Sequence, residues 1–117
     1  VEVLVVNDNS RFLAFGGQSG LANLASHGVS VINAVTTIYN TPPNNGDIFP
    51  YPVQVVLVSM HTLVQTDPWG DTVVMQGAET DCSSLLSLFN DWGERQQASG
   101  VVTAHDNRVL LSGRNFD

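Results

Sequence analysis

The opening six residues, Val1-Glu2-Val3-Leu4-Val5-Val6, constrain this chain more than any other stretch, because four valines and a leucine crowd around a single acid. A strand with one wet face alternates apolar and polar residues. This run is apolar on both sides, as a strand buried on both faces requires. Such a strand needs cover above and below, which directs the chain toward an α/β layer fold with a largely parallel sheet. Glu2 is the exception within the run and falls at its start.

The rest of the chain supplies that cover in order. Asn7-Asp8-Asn9-Ser10 carries the side chains that satisfy free amides at a helix start. Helix is expected from about Arg11, broken by Gly16-Gly17 and Gly20, since glycine weakens a helix interior by about 1 kcal/mol per residue. A long helix from about Ser19 to Tyr39 then sets Leu21, Leu24, Val31, Val35 and Ile38 as one stripe against the sheet, despite Gly28. Thr41-Pro42-Pro43-Asn44-Asn45-Gly46 ends it. Val53 to Val64 reads as a second buried strand, parallel to the first through the crossover helix.

Thr66-Asp67-Pro68-Trp69-Gly70-Asp71 is turn chemistry leading into an irregular loop, in which Val73-Val74-Met75 adds a short extended piece. Asp81-Cys82-Ser83-Ser84 offers N-caps for a helix running to about Ala98, with Leu85, Leu88, Phe89 and Trp92 on one face. Phe89 and Trp92 are expected as core anchors. Ser99-Gly100 stops that helix, and Val101-Val102 leads to a final strand from His105 to Leu111. The order β, α, β, α, β gives an α/β class with a three-layer-like mixed, mostly parallel sheet and long helices. The last strand needs neighbours of its own, so an unpaired apolar edge is expected there. A chain ending so soon after it reads as the N-terminal portion of a single domain spanning residues 1–117.

With 43% hydrophobic and 13% charged residues among 117, the chain has the composition of a globular domain rather than a disordered one. Four basic against eleven acidic residues leave a formal net charge of -7, which repels phosphate backbones and anionic membrane surfaces. Nucleic acid is therefore not an expected partner, and no apolar run approaches the roughly 18 residues needed to span a bilayer. Cys82 has no second cysteine to pair with. It reads as a small buried hydrophobe or, in a secreted chain, as one half of a disulfide to another segment.

Candidate chemistry is sparse. His27, His61 and His105 are the possible metal-binding histidines, yet no two stand at i and i+4 with a Glu between them, the arrangement that turns two imidazoles toward one zinc beside a general base. Asp67, Asp71, Glu79 and Asp81 form an acidic loop whose spacing fits no calcium loop, and a solvated acidic surface is the simpler expectation. The serines lack a nucleophile elbow and the glycines make no phosphate loop. Glu2 and Asp106 are the more informative acids, because a parallel arrangement would bring their two strand starts together. Taken by themselves, Glu2 reads as a water-exposed strand-end acid and Asp106 as a turn cap.

Four stretches together resemble one known family. His105-Asp106-Asn107, then Leu110-Leu111, then Asn115-Phe116-Asp117 is similar to the HDNxxLLTGxDFD signature of the adamalysin or reprolysin family of zinc metalloendopeptidases, which are metzincins. Glu2 to Asp8, EVLVVND, resembles the family's first strand. Val31 to Tyr39, VINAVTTIY, resembles the end of its first long helix, and Leu86 to Trp92, LSLFNDW, its L-x-S-F-x-x-W segment. The resemblance implies a secreted or extracellular zinc endopeptidase that hydrolyses protein or peptide substrates, with this chain as scaffold.

The zinc-binding motif HExxHxxGxxH is absent, so zinc would be held by residues outside this chain, on a missing segment or on a second polypeptide segment that completes the domain, and this chain alone is expected to be inactive. No catalytic residue and no zinc ligand is expected here. The resemblance also implies that Glu2 and Asp106 are side-chain ligands to a structural calcium ion, completed from that other segment. It makes the Asn40 to Pro52 connection a surface insertion. The alternative from another class is a secreted, non-catalytic α/β binding module that lacks the zinc half.

Overall fold

A computed structural model of the chain describes residues 1–41 and 50–116, without the side chain of Asp71; the expected insertion between Asn40 and Pro52 falls largely outside the described residues. Strand β1 (Glu2–Asn7) is followed by a short helix α1 (Asn9–Ala14), a single 3-10 turn and the long helix α2 (Leu21–Asn40). Strand β2 (Val56–Thr62), a small hairpin of β3 (Met75–Gln76) and β4 (Glu79–Thr80), helix α3 (Cys82–Ala98) and strand β5 (Asn107–Leu111) complete it. β1 lies between β2 and β5 and pairs with both in parallel. This is the α/β arrangement with a parallel sheet that the opening run demands.

Alternation along β1 divides the core in two. Leu4 and Val6 pack with Leu85, Phe89 and Trp92 of α3, together with Leu63, Trp69, Val73 and Val102. Val3 and Val5 face the other way, onto Ile32 of α2, with Leu57, Met60, Val109 and Leu111 at its margin. One helix therefore covers each face, a three-layer sandwich in which β1 has neighbours on every side. On the α3 side the aromatic rings interlock. Phe89 and Trp92 stack at 6.1 Å, and Trp69 meets both edge-on at 6.2 and 6.3 Å, the offset and T-shaped geometries that ring quadrupoles favour.

Several expectations change in detail. The buried stripe of α2 is Leu24, Gly28 and Ile32, while Ile38 is 71% exposed. Gly28 is part of the packing: a Cβ there would stand 2.4 Å from the Met60 methyl, so the missing side chain lets β2 approach the helix. The break before α2 has a harder cause. A Cβ on Gly20 would fall 1.6 Å from the Phe15 carbonyl oxygen. β2 is shorter than Val53 to Val64, because Val53 leaves the sheet line to exchange hydrogen bonds with the Asn40 side chain at the end of α2. β5 likewise begins at Asn107, since His105 and Asp106 shape the turn into it.

The loop after β2 is more built than its turn-rich composition indicates, with Trp69 only 4% exposed and the β3–β4 hairpin turning at Gly77, whose φ is +64°. Cys82 is exposed at the start of α3, a correction to the reading of it as a buried small hydrophobe. The N-cap one residue earlier decides this. The Asp81 carboxylate accepts the Ser84 N–H at 2.7 Å, and that geometry turns the first residues of the helix outward. Among the described residues no helix is long and apolar enough to cross a membrane.

Candidate functional site

The two ends of the parallel sheet carry the polar groups. At the amino end, β1 and β5 start side by side: the Glu2 N–H donates to Asp106 Oδ2 at 2.8 Å, and the Asp106 N–H returns a bond to the Glu2 carbonyl at 2.9 Å. The two acids singled out in the sequence are thus neighbours through their backbones. Both are exposed. One oxygen of Asp106 is committed as a cap, so the turn-capping role is real whatever else the carboxylate does.

At the carboxyl end, three loops converge on two buried acids. Asp8, fully buried after β1, takes the Arg11 N–H on Oδ1 at 2.8 Å, which caps α1. The same oxygen accepts the Gly113 N–H at 3.1 Å, and Oδ2 accepts a short bond from the Ser112 hydroxyl. Asp67, 8% exposed in the loop after β2, accepts the Asn9 N–H at 2.7 Å and Nη2 of Arg114 at 3.0 Å. Arg114 Nε is buried without a hydrogen bond, 4.0 Å from Asp8 Oδ2. Every strand of the sheet therefore sends its following loop into one network.

This is where an open parallel sheet gathers ligands, yet the chemistry here is a brace. Asp8 has about four lone-pair directions, and three are occupied by protein donors. Asp67 spends both oxygens in the same way. Asp67 is therefore not part of a solvated acidic surface, as its loop composition suggested, because Asn9 and Arg114 draw it inward. Of the other loop acids, Asp81 caps α3 and Glu79 is exposed on β4.

The three histidines lie apart on α2, β2 and the turn before β5. Nδ1 of His27 is 2.7 Å from Arg11 Nη2. Because a guanidinium only donates, that nitrogen is the acceptor. Arg11 also donates from Nε to Asn7 and lies over the Phe15 ring. Burial lowers its pKa from the ordinary arginine value, an effect that the Asp8 charge offsets in part. His105 accepts from Arg108 Nε on Nε2 at 3.0 Å, so its Nδ1 carries the proton donated to the Thr103 carbonyl. His61 packs its ring 5.6 Å from Trp92.

Among the described residues no group of three or more His, Cys, Asp or Glu side chains is placed to hold a metal ion. The carboxyl-end network is what sequence reading missed. Its members were visible as the polar residue following each of three strands, a signal that gains meaning only once the strands are parallel neighbours. No family model matches the chain, and no curated protein matches it closely enough to count as a relative.

Proposed function

We propose that this chain is the N-terminal scaffold of a secreted, reprolysin-like zinc endopeptidase acting on protein or peptide substrates, completed by a second polypeptide segment that carries the HExxHxxGxxH helix. The observation that carries this reading is the pairing of β1 with β5. The two stretches that most resemble the family contribute the adjacent parallel strands β1 and β5, with Asp106 seated on the Glu2 backbone.

Zinc, held by the completing segment, would supply Lewis-acid chemistry there. Among the described residues no three potential ligands are gathered for that ion. Nδ1 of His27 is taken by Arg11 and both ring nitrogens of His105 are taken by Arg108 and Thr103. The role assigned to this chain is mechanical: it supplies a sheet whose strand ends are fixed by the Asp8, Asp67 and Arg114 network.

In this reading the structural calcium ion belongs to the amino end. Glu2 and Asp106 offer hard oxygen ligands on adjacent backbones, and Asp106 keeps Oδ1 for a cation once Oδ2 has taken the Glu2 N–H. Calcium takes about 6–8 oxygens, so most of its ligands would come from the completing segment.

Intact mass and sequencing of the protein purified from its natural source test the reading. A companion polypeptide bearing the HExxH helix, with peptidase activity lost to a zinc chelator, is the expected result. Homogeneous 117-residue material without peptidase activity would instead leave the non-catalytic α/β binding module.

A further inference from the structure

We propose that the hollow between the loop after β2 and the second half of α3 binds a free α-amino acid with a branched aliphatic side chain. This goes beyond the peptidase reading and does not depend on it. The hollow holds about 200 Å³. Trp69 and Trp92 line it and are nearly buried, at 4% and 5% exposed, while Pro68, Thr72, Asp91 and Arg95 stand exposed around them.

Three groups lining this hollow carry polar chemistry that the protein leaves unused. The Trp69 indole N–H is buried without a hydrogen-bond partner, and a buried donor costs stability until something accepts from it. Asp91 and Arg95 stand about one turn apart on α3, where opposite charges commonly pair. Here they do not. The ion pairs among the described residues are those of Arg108 with Glu94 and of Arg114 with Asp8 and Asp67. Thr72 adds an acceptor, because its hydroxyl proton goes to the Trp69 carbonyl and lone pairs remain on the oxygen.

Donors and acceptors together select the ligand. Arg95 and the Trp69 N–H answer a carboxylate, Asp91 and the Thr72 oxygen answer an ammonium, and an α-amino acid carries both groups on one carbon. A bare anion would meet Asp91 and a chain of net charge -7. A bare cation would leave Arg95 and the Trp69 N–H unanswered. The remaining walls set the side chain: the two indoles, Leu88 and Pro68 are apolar. The volume equals the liquid share of about seven waters, room for an aliphatic branch beside the two charged groups.

The chain has two tryptophans and both line the hollow, so their fluorescence reports on it alone. With the 117-residue protein at neutral pH, L-leucine is expected to change the emission saturably, with a dissociation constant of about 1 mM or tighter. It should also move the indole N–H resonance of Trp69. Leucinamide, which lacks the carboxylate, and isocaproate, which lacks the ammonium, should each bind at least tenfold more weakly. Arg95→Gln should weaken leucine at least tenfold and leave leucinamide unchanged. Asp91→Asn should weaken leucine equally and leave isocaproate unchanged. Both side chains are exposed and outside the ion pairs above, so neither change should move the thermal midpoint of the free protein.

No saturable response, an unmoved Trp69 N–H resonance, or analogues that bind as tightly as leucine would each overturn the proposal. So would an affinity for leucine that survives both substitutions. Tight binding of leucinamide would make the hollow a cation site, and tight binding of isocaproate an anion site; either result rules out the zwitterion. Failure here leaves the peptidase reading untouched, because that reading stands or falls on the companion polypeptide.

Discussion

Replacing Asp8 by Ala should be among the most damaging single changes this chain can suffer. The carboxylate is fully buried and receives the Arg11 N–H, the Gly113 N–H and the Ser112 hydroxyl. A buried donor left without a partner costs about 1–3 kcal/mol, and loss of a helix N-cap costs about 1 kcal/mol within that sum. Allowing the Ser112 hydroxyl to rotate toward another acceptor, two backbone donors remain stranded, giving a loss of about 3–5 kcal/mol. Among the described residues Arg114 would then keep only Asp67 as a carboxylate neighbour, which adds to the loss. Since whole domains are stable by roughly 5–15 kcal/mol, the variant should approach global unfolding at room temperature. Urea titration followed by circular dichroism measures the change. Glu94→Gln is the control: Glu94 is 74% exposed in its pair with Arg108, and such surface pairs contribute about 0–1 kcal/mol. A loss below about 1 kcal/mol for Asp8→Ala would refute the view that the network braces the sheet.

Other outcomes follow from the same geometry. Gly20→Ala should cost more than about 2 kcal/mol, because its Cβ meets the Phe15 backbone oxygen, whereas Gly28→Ala should stay within about 1 kcal/mol, because only the Met60 methyl must move and helix propensity improves; urea midpoints compare the two directly. Phe89→Ala should lose about 3–5 kcal/mol by emptying the centre of the aromatic cluster, read as a fall in midpoint at unchanged urea slope. In the completed protein, Glu2→Gln or Asp106→Asn should lower the melting temperature in calcium and barely change it in chelator, because a ligand of the folded state stabilises it by mass action. Asparagine at 106 still accepts the Glu2 N–H, so an equal fall in chelator would argue for the cap alone.

The layered fold was legible because β1 declared itself: an apolar run without alternation needs two covers, and the helical periods around Leu24 and Phe89 supplied them. What escaped the sequence depended on neighbours it could not locate. Ile38 sat in phase with the α2 stripe, yet the sheet does not reach that far along the helix, so it stays exposed. Trp69 lay in a run of turn formers, and only the proximity of Phe89 and Trp92 makes it core. Asp67 looked like one acid among four until Arg114, 47 residues away, was seen to bond it. Glu2 and Asp106 open neighbouring parallel strands, where the Asp106 carboxylate meets the Glu2 N–H. The capping bond between them needs the Asp106 carboxylate, but its partner is the Glu2 backbone N–H, which residue identities do not point to.

The bond between Glu2 and Asp106 also sets a schedule. It joins residues 104 positions apart, and Asp8 holds Gly113 across 105. A ribosome adding about 5–20 residues per second leaves the first strand waiting roughly 5–20 seconds for its partner. During that interval the most apolar stretch of the chain has emerged without a finished sheet to enter. β2, 54 residues after Glu2 in the ladder register, can reach it sooner, but one neighbour leaves the other edge of β1 bare. A nascent chain of this kind depends on a holding chaperone or on speed, and slow codons placed before β5 should raise its aggregation more than the same codons placed after it.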